Sequence, residues 1–177
     1  MNSERIQLIL SFWFGRDENF ILSSERLDLW FSARDKDFEM DRLFSIDILL
    51  ARRKNSLEWE KDIQGRLALI LILTQIAKKI NPNDSCLPFD YRYTSFLSLR
   101  SISEKKDIQL PIIQRAFLYV PLMYSEKGEV REHAVNAYAH LLLKSPLELK
   151  SIMAQFYEEA LSRLDNNQFF QKNVINF

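Results

Sequence analysis

A chain of 177 residues is long enough to bury a sizeable interior, as one domain or as two small halves sharing a core. Lysine plus arginine and aspartate plus glutamate both number 24, so no net field draws the chain to phosphate backbones or anionic lipid, and neither nucleic acid nor membrane is an expected partner. With 3 glycines, 5 prolines and a 47% apolar content rich in Leu, Ile and Phe, the composition favours helices, and the lone Cys86 excludes an internal disulfide and a cysteine-rich metal site.

The opening residues include Glu4 and Arg5 and lack the basic, apolar and cleavage-site order of a secretory signal, which predicts a cytoplasmic protein. Ser3 is placed to cap a first helix running to Phe14, with Ile6, Ile9, Leu10 and Trp13 on one face and Gly15 to end it. Ser24 is placed to cap a short segment carrying Leu27, Trp30 and Phe31. Asp35 or Asp37 then opens a longer helix ending near Arg52 and Arg53, with Phe38, Leu43, Phe44, Ile46, Leu49 and Leu50 as its predicted buried face.

A short turn over 57–63 leads to the run Gly65 to Ile80, GRLALILILTQIAKKI. Leu67 to Leu73 is apolar throughout, too uniform for a striped surface helix and far short of the roughly 20 residues of a membrane span. A core strand competes, but the apolar spacing continues through Ile76, Ala77 and Ile80, past the usual strand length of about 5 to 6 residues. The run is therefore predicted as a buried helix that stops before the loop signal Asn81-Pro82-Asn83-Asp84.

A helix is predicted from Phe89 to Ser101, then a charged connection over 103–107. Helical spacing resumes from Leu110 to Tyr119 until Pro121 kinks or ends it. After Gly128, a helix from Glu129 to Lys144 turns Val130, Ala134, Ala137, Tyr138, Leu141 and Leu142 inward. Ser145-Pro146-Leu147-Glu148 has the order of a capping box and opens a helix to about Asp165, which Asn166-Asn167 breaks before an aromatic tail, 169–177, that docks. The predicted architecture is all-α: a single domain over 1–177, built as an irregular antiparallel bundle or helical-hairpin array of about eight or nine helices.

Reactive chemistry is sparse. His133 and His140 are about 10.5 Å apart along one helix, too far to share a metal, and Glu129 one turn before His133 supplies only a second ligand or an ion-pair partner. The chain holds no glycine-rich phosphate loop, nucleophile elbow or zinc-protease motif; Glu158 and Glu159 diverge around a helix; and Cys86 has no evident base. No catalytic residue, metal or cofactor is expected, and the protein reads as a non-enzyme. Trp13, Phe14, Trp30, Phe31, Trp59, Phe117, Tyr119 and Tyr124 read as core more readily than as the lining of a ligand pocket.

Five blocks in order span nearly the whole chain: Phe12-Trp13-Phe14-Gly15, Trp30-Phe31, the run Gly65 to Lys79, the run Arg115 to Glu126, and Phe169 to Ile175. Together they resemble a bacterial family known as domain of unknown function 924, in the tetratricopeptide-like helical superfamily. Its usual Asp-Gln pair, followed by Phe, Pro and Arg, stands here as Thr74-Gln75-Ile76-Ala77-Lys78; its Glu-His before Ser-Glu is Met123-Tyr124; and its Pro-His-Arg-Asn is Phe170-Gln171-Lys172-Asn173. Arg to Lys at 78 and 172 keeps the charge but loses the planar fork.

The resemblance implies a non-catalytic module presenting a groove to a peptide or protein partner. A second reading is a small-molecule site for an anionic ligand, or a degenerate enzyme, built from Gln75, Lys78, Tyr124, Lys172 and Asn173 with Trp13 as a wall. A third is a homodimer packed through the aromatic tail or the Leu110 to Tyr124 face.

Overall fold

The computed structural model describes residues 2–16, 22–32, 38–53, 57–85 and 87–174, the side chains of residue 2 and of 166 onward excepted. All the described elements are helical, with no strand, and no helix is long and apolar enough to cross a membrane. The chain forms two compact units, Met1–Asp90 and Tyr91–Phe177.

In the first unit, α1 (Asn2–Phe14) packs on α2 (Ser24–Phe31) and on α4 (Ile63–Ile70), while α3 (Phe38–Arg52) packs on the helix that continues α4. Ile6, Ile9, Leu10 and Trp13 are buried as their spacing predicts, and Gly15 ends α1 at φ +95°, a left-handed conformation that favours glycine. Helix α1 starts at Asn2, so Ser3 lies inside it, and α2 is capped by Ser23 rather than Ser24, its side chain accepting from the Arg26 N–H. The expected openings at Asp35 or Asp37, and Cys86, lie outside the described residues.

Helix α3 departs most from expectation. Of the residues read as its buried face only Phe44 is buried, and Leu43 is half-buried; Phe38, Ile46, Leu49 and Leu50 are exposed. The face turned inward carries Met40, Phe44, Asp47, Ile48 and Ala51. Asp47 is accepted there because Arg5 of α1 holds it: Arg5 Nε donates to Oδ1 at 2.9 Å and a second guanidinium nitrogen to Oδ2. The same guanidinium lies 5.5 Å from the Phe44 ring centroid. α3 is thus apolar on two sides, and the paired charge on one of them decides which side is core.

The 3-10 turn Leu57–Lys61 leads to α4, whose N-cap Asp62 accepts from the Gly65 N–H at 2.8 Å. The helix then widens into a π segment, Leu71–Ile76, before closing as α5 (Ala77–Ile80). Within it the Thr74 hydroxyl donates to the Ile70 carbonyl at 2.6 Å, and the Ala77 N–H reaches back five residues to the Ile72 carbonyl. The run is buried as predicted, Leu67 to Leu73 being at most 1% exposed.

Helix α6 (Leu87–Ser103) starts in the first unit and lies mostly in the second. The second unit packs α7 (Ile112–Met123), α8 (Gly128–Lys144) and α9 (Leu147–Val174) on one another, α7 buried along most of its length. Pro121 does not end α7, which continues to Met123. Pro121 removes one N–H, and nearby carbonyls find donors elsewhere: Ser95 Oγ donates to Pro121 O at 2.9 Å and Ser98 Oγ to Leu118 O at 2.6 Å. Ser145 does not box α9; its hydroxyl donates backward to the Leu141 carbonyl at 2.6 Å, closing α8. Helix α9 runs through Asn166 and Asn167 to Val174; the docking expected of the tail side chains lies outside the described residues.

Candidate functional site

The residues singled out from the sequence fall in both units. Trp13 is fully buried, its backbone carbonyl accepting from Arg26 and from the Trp30 indole at 3.0 Å, so it is core material of α1. Gln75 is half-buried in the π segment and donates to Thr74 Oγ1 at 3.2 Å; Lys78 is exposed one turn on. Tyr124 belongs to the second unit. Lys172 and Asn173 lie in the last turns of α9, where side chains are outside the described residues.

Tyr124 stands at the end of α7 between two planar groups that lie far from it in the chain. Its ring stacks on Tyr91 of α6 at 4.5 Å, and the Arg163 guanidinium of α9 lies 3.8 Å from its centroid while donating to its hydroxyl at 3.1 Å. Burial raises its pKa, and the Arg163 charge opposes the rise. This arrangement joins three helices and uses the hydroxyl internally. Nearby, Arg131 is 2% exposed, donates to the Ser125 carbonyl at 2.6 Å, and leaves its Nε without a hydrogen-bond partner. Tyr91, Tyr124 and Arg163 are half-buried around the buried Arg131.

The second unit also buries Tyr119 and Tyr138. Tyr119 donates to Asp107, which Arg115 approaches to 3.6 Å, and burial followed by the Asp107 bond pushes its pKa up to about 12. Tyr138 donates to the Ala116 carbonyl at 2.8 Å, and burial raises it well above the usual phenol value. A raised pKa means that the fold favours the neutral phenol, so this stability is intact below pH 10 and lost as pH climbs through the folded value. For Tyr119 the loss amounts to roughly 2 to 3 kcal/mol between about pH 10 and 12. Because all six tyrosines lie beyond residue 90, tyrosinate absorbance reports the second unit alone. Tyr119 and Tyr138 are expected to ionise only as that unit unfolds, and Tyr119→Phe to flatten the alkaline fall. Six phenols titrating together near pH 10 would contradict this packing.

His133 and His140 are both exposed, and Glu129 forms no ion pair with His133 among the described residues. Among those residues no three of His, Cys, Asp and Glu gather in a metal-binding group.

The feature that stands out is the outward side of α3. Phe38 is 77% exposed, Ile46 70%, Leu49 48% and Leu50 40%, on a helix whose opposite side is already packed in the core. Ile46, Leu49 and Leu50 share the i, i+3, i+4 relation that gathers side chains on one surface, with Arg42 and Arg53 at its two ends. Apolar spacing alone does not distinguish this side of α3 from the core side, which Asp47 and its Arg5 partner mark.

Against known proteins, residues 9–172 match the family described as bacterial protein of unknown function (DUF924). The chain belongs to this family. A solved structure of a protein of unknown function from Agrobacterium tumefaciens superposes with a TM-score of 0.73 at 19% identity, over 97% of this chain and 86% of that one. At that identity the likeness extends to the fold alone. No curated protein matches the sequence.

Proposed function

We propose that this DUF924 chain is a non-catalytic protein-binding module of the cytoplasm and that the outward side of α3 is its docking surface. One observation carries the reading: Phe38, Ile46, Leu49 and Leu50 remain in water on a helix whose other side already satisfies the core. Clustered apolar side chains on a surface mark interaction sites, since each one left in water forgoes about 25 cal/mol per Å² of burial. The consecutive packing of α7 on α8 and of α8 on α9 is compatible with the tetratricopeptide-like arrangement that the sequence implies for such modules.

A small-anion site has less support. Trp13 is wholly buried, Gln75 bonds to its own neighbour, and the Tyr124 hydroxyl is engaged by Arg163. A photo-crosslinking amino acid at position 46, introduced in the living cell, tests the docking reading. Discrete protein adducts are expected at 46 and not at exposed Glu132 of α8, and a probe at 46 that yields none contradicts it.

A further inference from the structure

We infer that the occupant of this surface is a second copy of the chain, packed antiparallel across a two-fold axis at Ile46. The inference rests on the docking reading above and names its partner.

The spacing and the charges carry it. Glu39, Arg42, Ile46, Leu49 and Arg53 recur at alternating steps of three and four, the pattern that forms a seam between paired helices. Glu39 and Arg53 stand seven residues before and after Ile46, about 10.5 Å along the helix in each direction. A two-fold axis through Ile46 therefore brings Glu39 of each copy against Arg53 of the other, and Leu43 against Leu49. Both charged groups are exposed and neither forms an ion pair among the described residues, so each is available.

Orientation follows from the same charges. Parallel pairing sets Glu39 beside Glu39 and Arg53 beside Arg53, which repel; antiparallel pairing turns both contacts attractive. With Ile46 at its centre and Glu39 and Arg53 at equal distances on either side, the surface is complementary to itself at those positions under a two-fold rotation, as an isologous interface requires, and Arg42 falls opposite Leu50, where its aliphatic stem can cover the leucine while its charge stays in water. One helix per copy offers a contact near the lower limit of specific interfaces, on the order of 1,000 Å² in total, so self-association in the micromolar range is expected.

Sedimentation velocity from about 1 to 200 μM tests this over the range set by that affinity. The wild type is expected to pass from monomer to dimer, Ile46→Glu to remain monomeric, and Glu39→Arg to weaken the dimer by about tenfold through like charges at both ends. The double exchange Glu39→Arg with Arg53→Glu is expected to restore it. Tryptophan fluorescence and circular dichroism matching the wild type confirm that each variant is folded. A wild type that stays monomeric overturns the inference, as does a dimer indifferent to Ile46→Glu. The adduct at position 46 separates the two claims: an adduct of about twice the chain mass of 21.0 kDa supports self-pairing. An adduct of another mass, with the purified chain monomeric, overturns self-pairing while the docking reading stands.

Discussion

Gly65→Ala is expected to destabilise the first unit by about 3 kcal/mol or more, although alanine is the better helix former by about 1 kcal/mol. A Cβ on residue 65 would lie 2.1 Å from the Trp59 carbonyl oxygen, 2.8 Å from its carbon and 2.9 Å from its Cα. All three are backbone atoms, so no side-chain rotation relieves the clash. The backbone there is pinned as well: Arg66 Nε donates to the Glu60 carbonyl at 2.7 Å, and Asp62 accepts from the Gly65 N–H at 2.8 Å. Moving the 3-10 turn away from α4 breaks these bonds and uncovers Trp59, which is 7% exposed. Urea unfolding followed by tryptophan fluorescence measures this unit alone, because Trp13, Trp30 and Trp59 all lie in it. A variant as stable as the wild type would mean that the turn and the helix do not approach as described.

Arg52→Met carries the other large effect, a loss of about 3 kcal/mol in the same unit. Arg52 ends α3 and donates to Asp90 Oδ2 through Nε at 2.9 Å and through a terminal nitrogen at 2.7 Å, which also meets Asp84 at 2.6 Å. One guanidinium thus ties together the end of α3, the loop after α5 and the start of α6. Burial raises the pKa of Asp90, and Arg52 opposes the rise. Removing the cation leaves two carboxylates together, one of them 6% exposed, so Asp90 rises further. A raised carboxyl pKa adds stability at low pH that disappears as pH rises through the folded value. The deficit of Arg52→Met is therefore expected to be small near about pH 4 and to grow toward about pH 7. A deficit that does not change with pH would place its cause in lost packing rather than in Asp90.

Some of this structure was plain in the residues and some was hidden for physical reasons. The buried side of α1 and its stop at Gly15 followed from spacing and from the one residue type at ease with positive φ. The central run was recognisable as a buried helix, but nothing in its composition announced the π segment, because a shift from four-residue to five-residue bonding has no residue preference of its own. That segment holds Thr74 and Gln75, the positions where the chain departs from its family, and the threonine hydroxyl satisfies the Ile70 carbonyl inside it. In α9 the Asn166-Asn167 pair looked like a stop, yet asparagine lowers helix stability by less than about 0.7 kcal/mol per residue, which adjoining turns can absorb.

The docking surface was illegible for a different reason. A helix with apolar residues all round does not say which side is core; that depends on Arg5 reaching Asp47 from another helix. Tyr124 was singled out, but its stacking on Tyr91 and capping by Arg163 link positions 33 and 39 residues away, beyond any local pattern.

The most direct test compares the two sides of α3. Urea unfolding of Ile46→Glu and Phe44→Ala is followed by tryptophan fluorescence, at a dilution where the chain is monomeric. With Phe44 fully buried and Ile46 70% exposed, Phe44→Ala is expected to lower stability by about 3 to 5 kcal/mol and Ile46→Glu by less than about 0.5 kcal/mol. If Ile46→Glu destabilises the unit as much as Phe44→Ala, the outward side of α3 belongs to the core and no docking surface exists there.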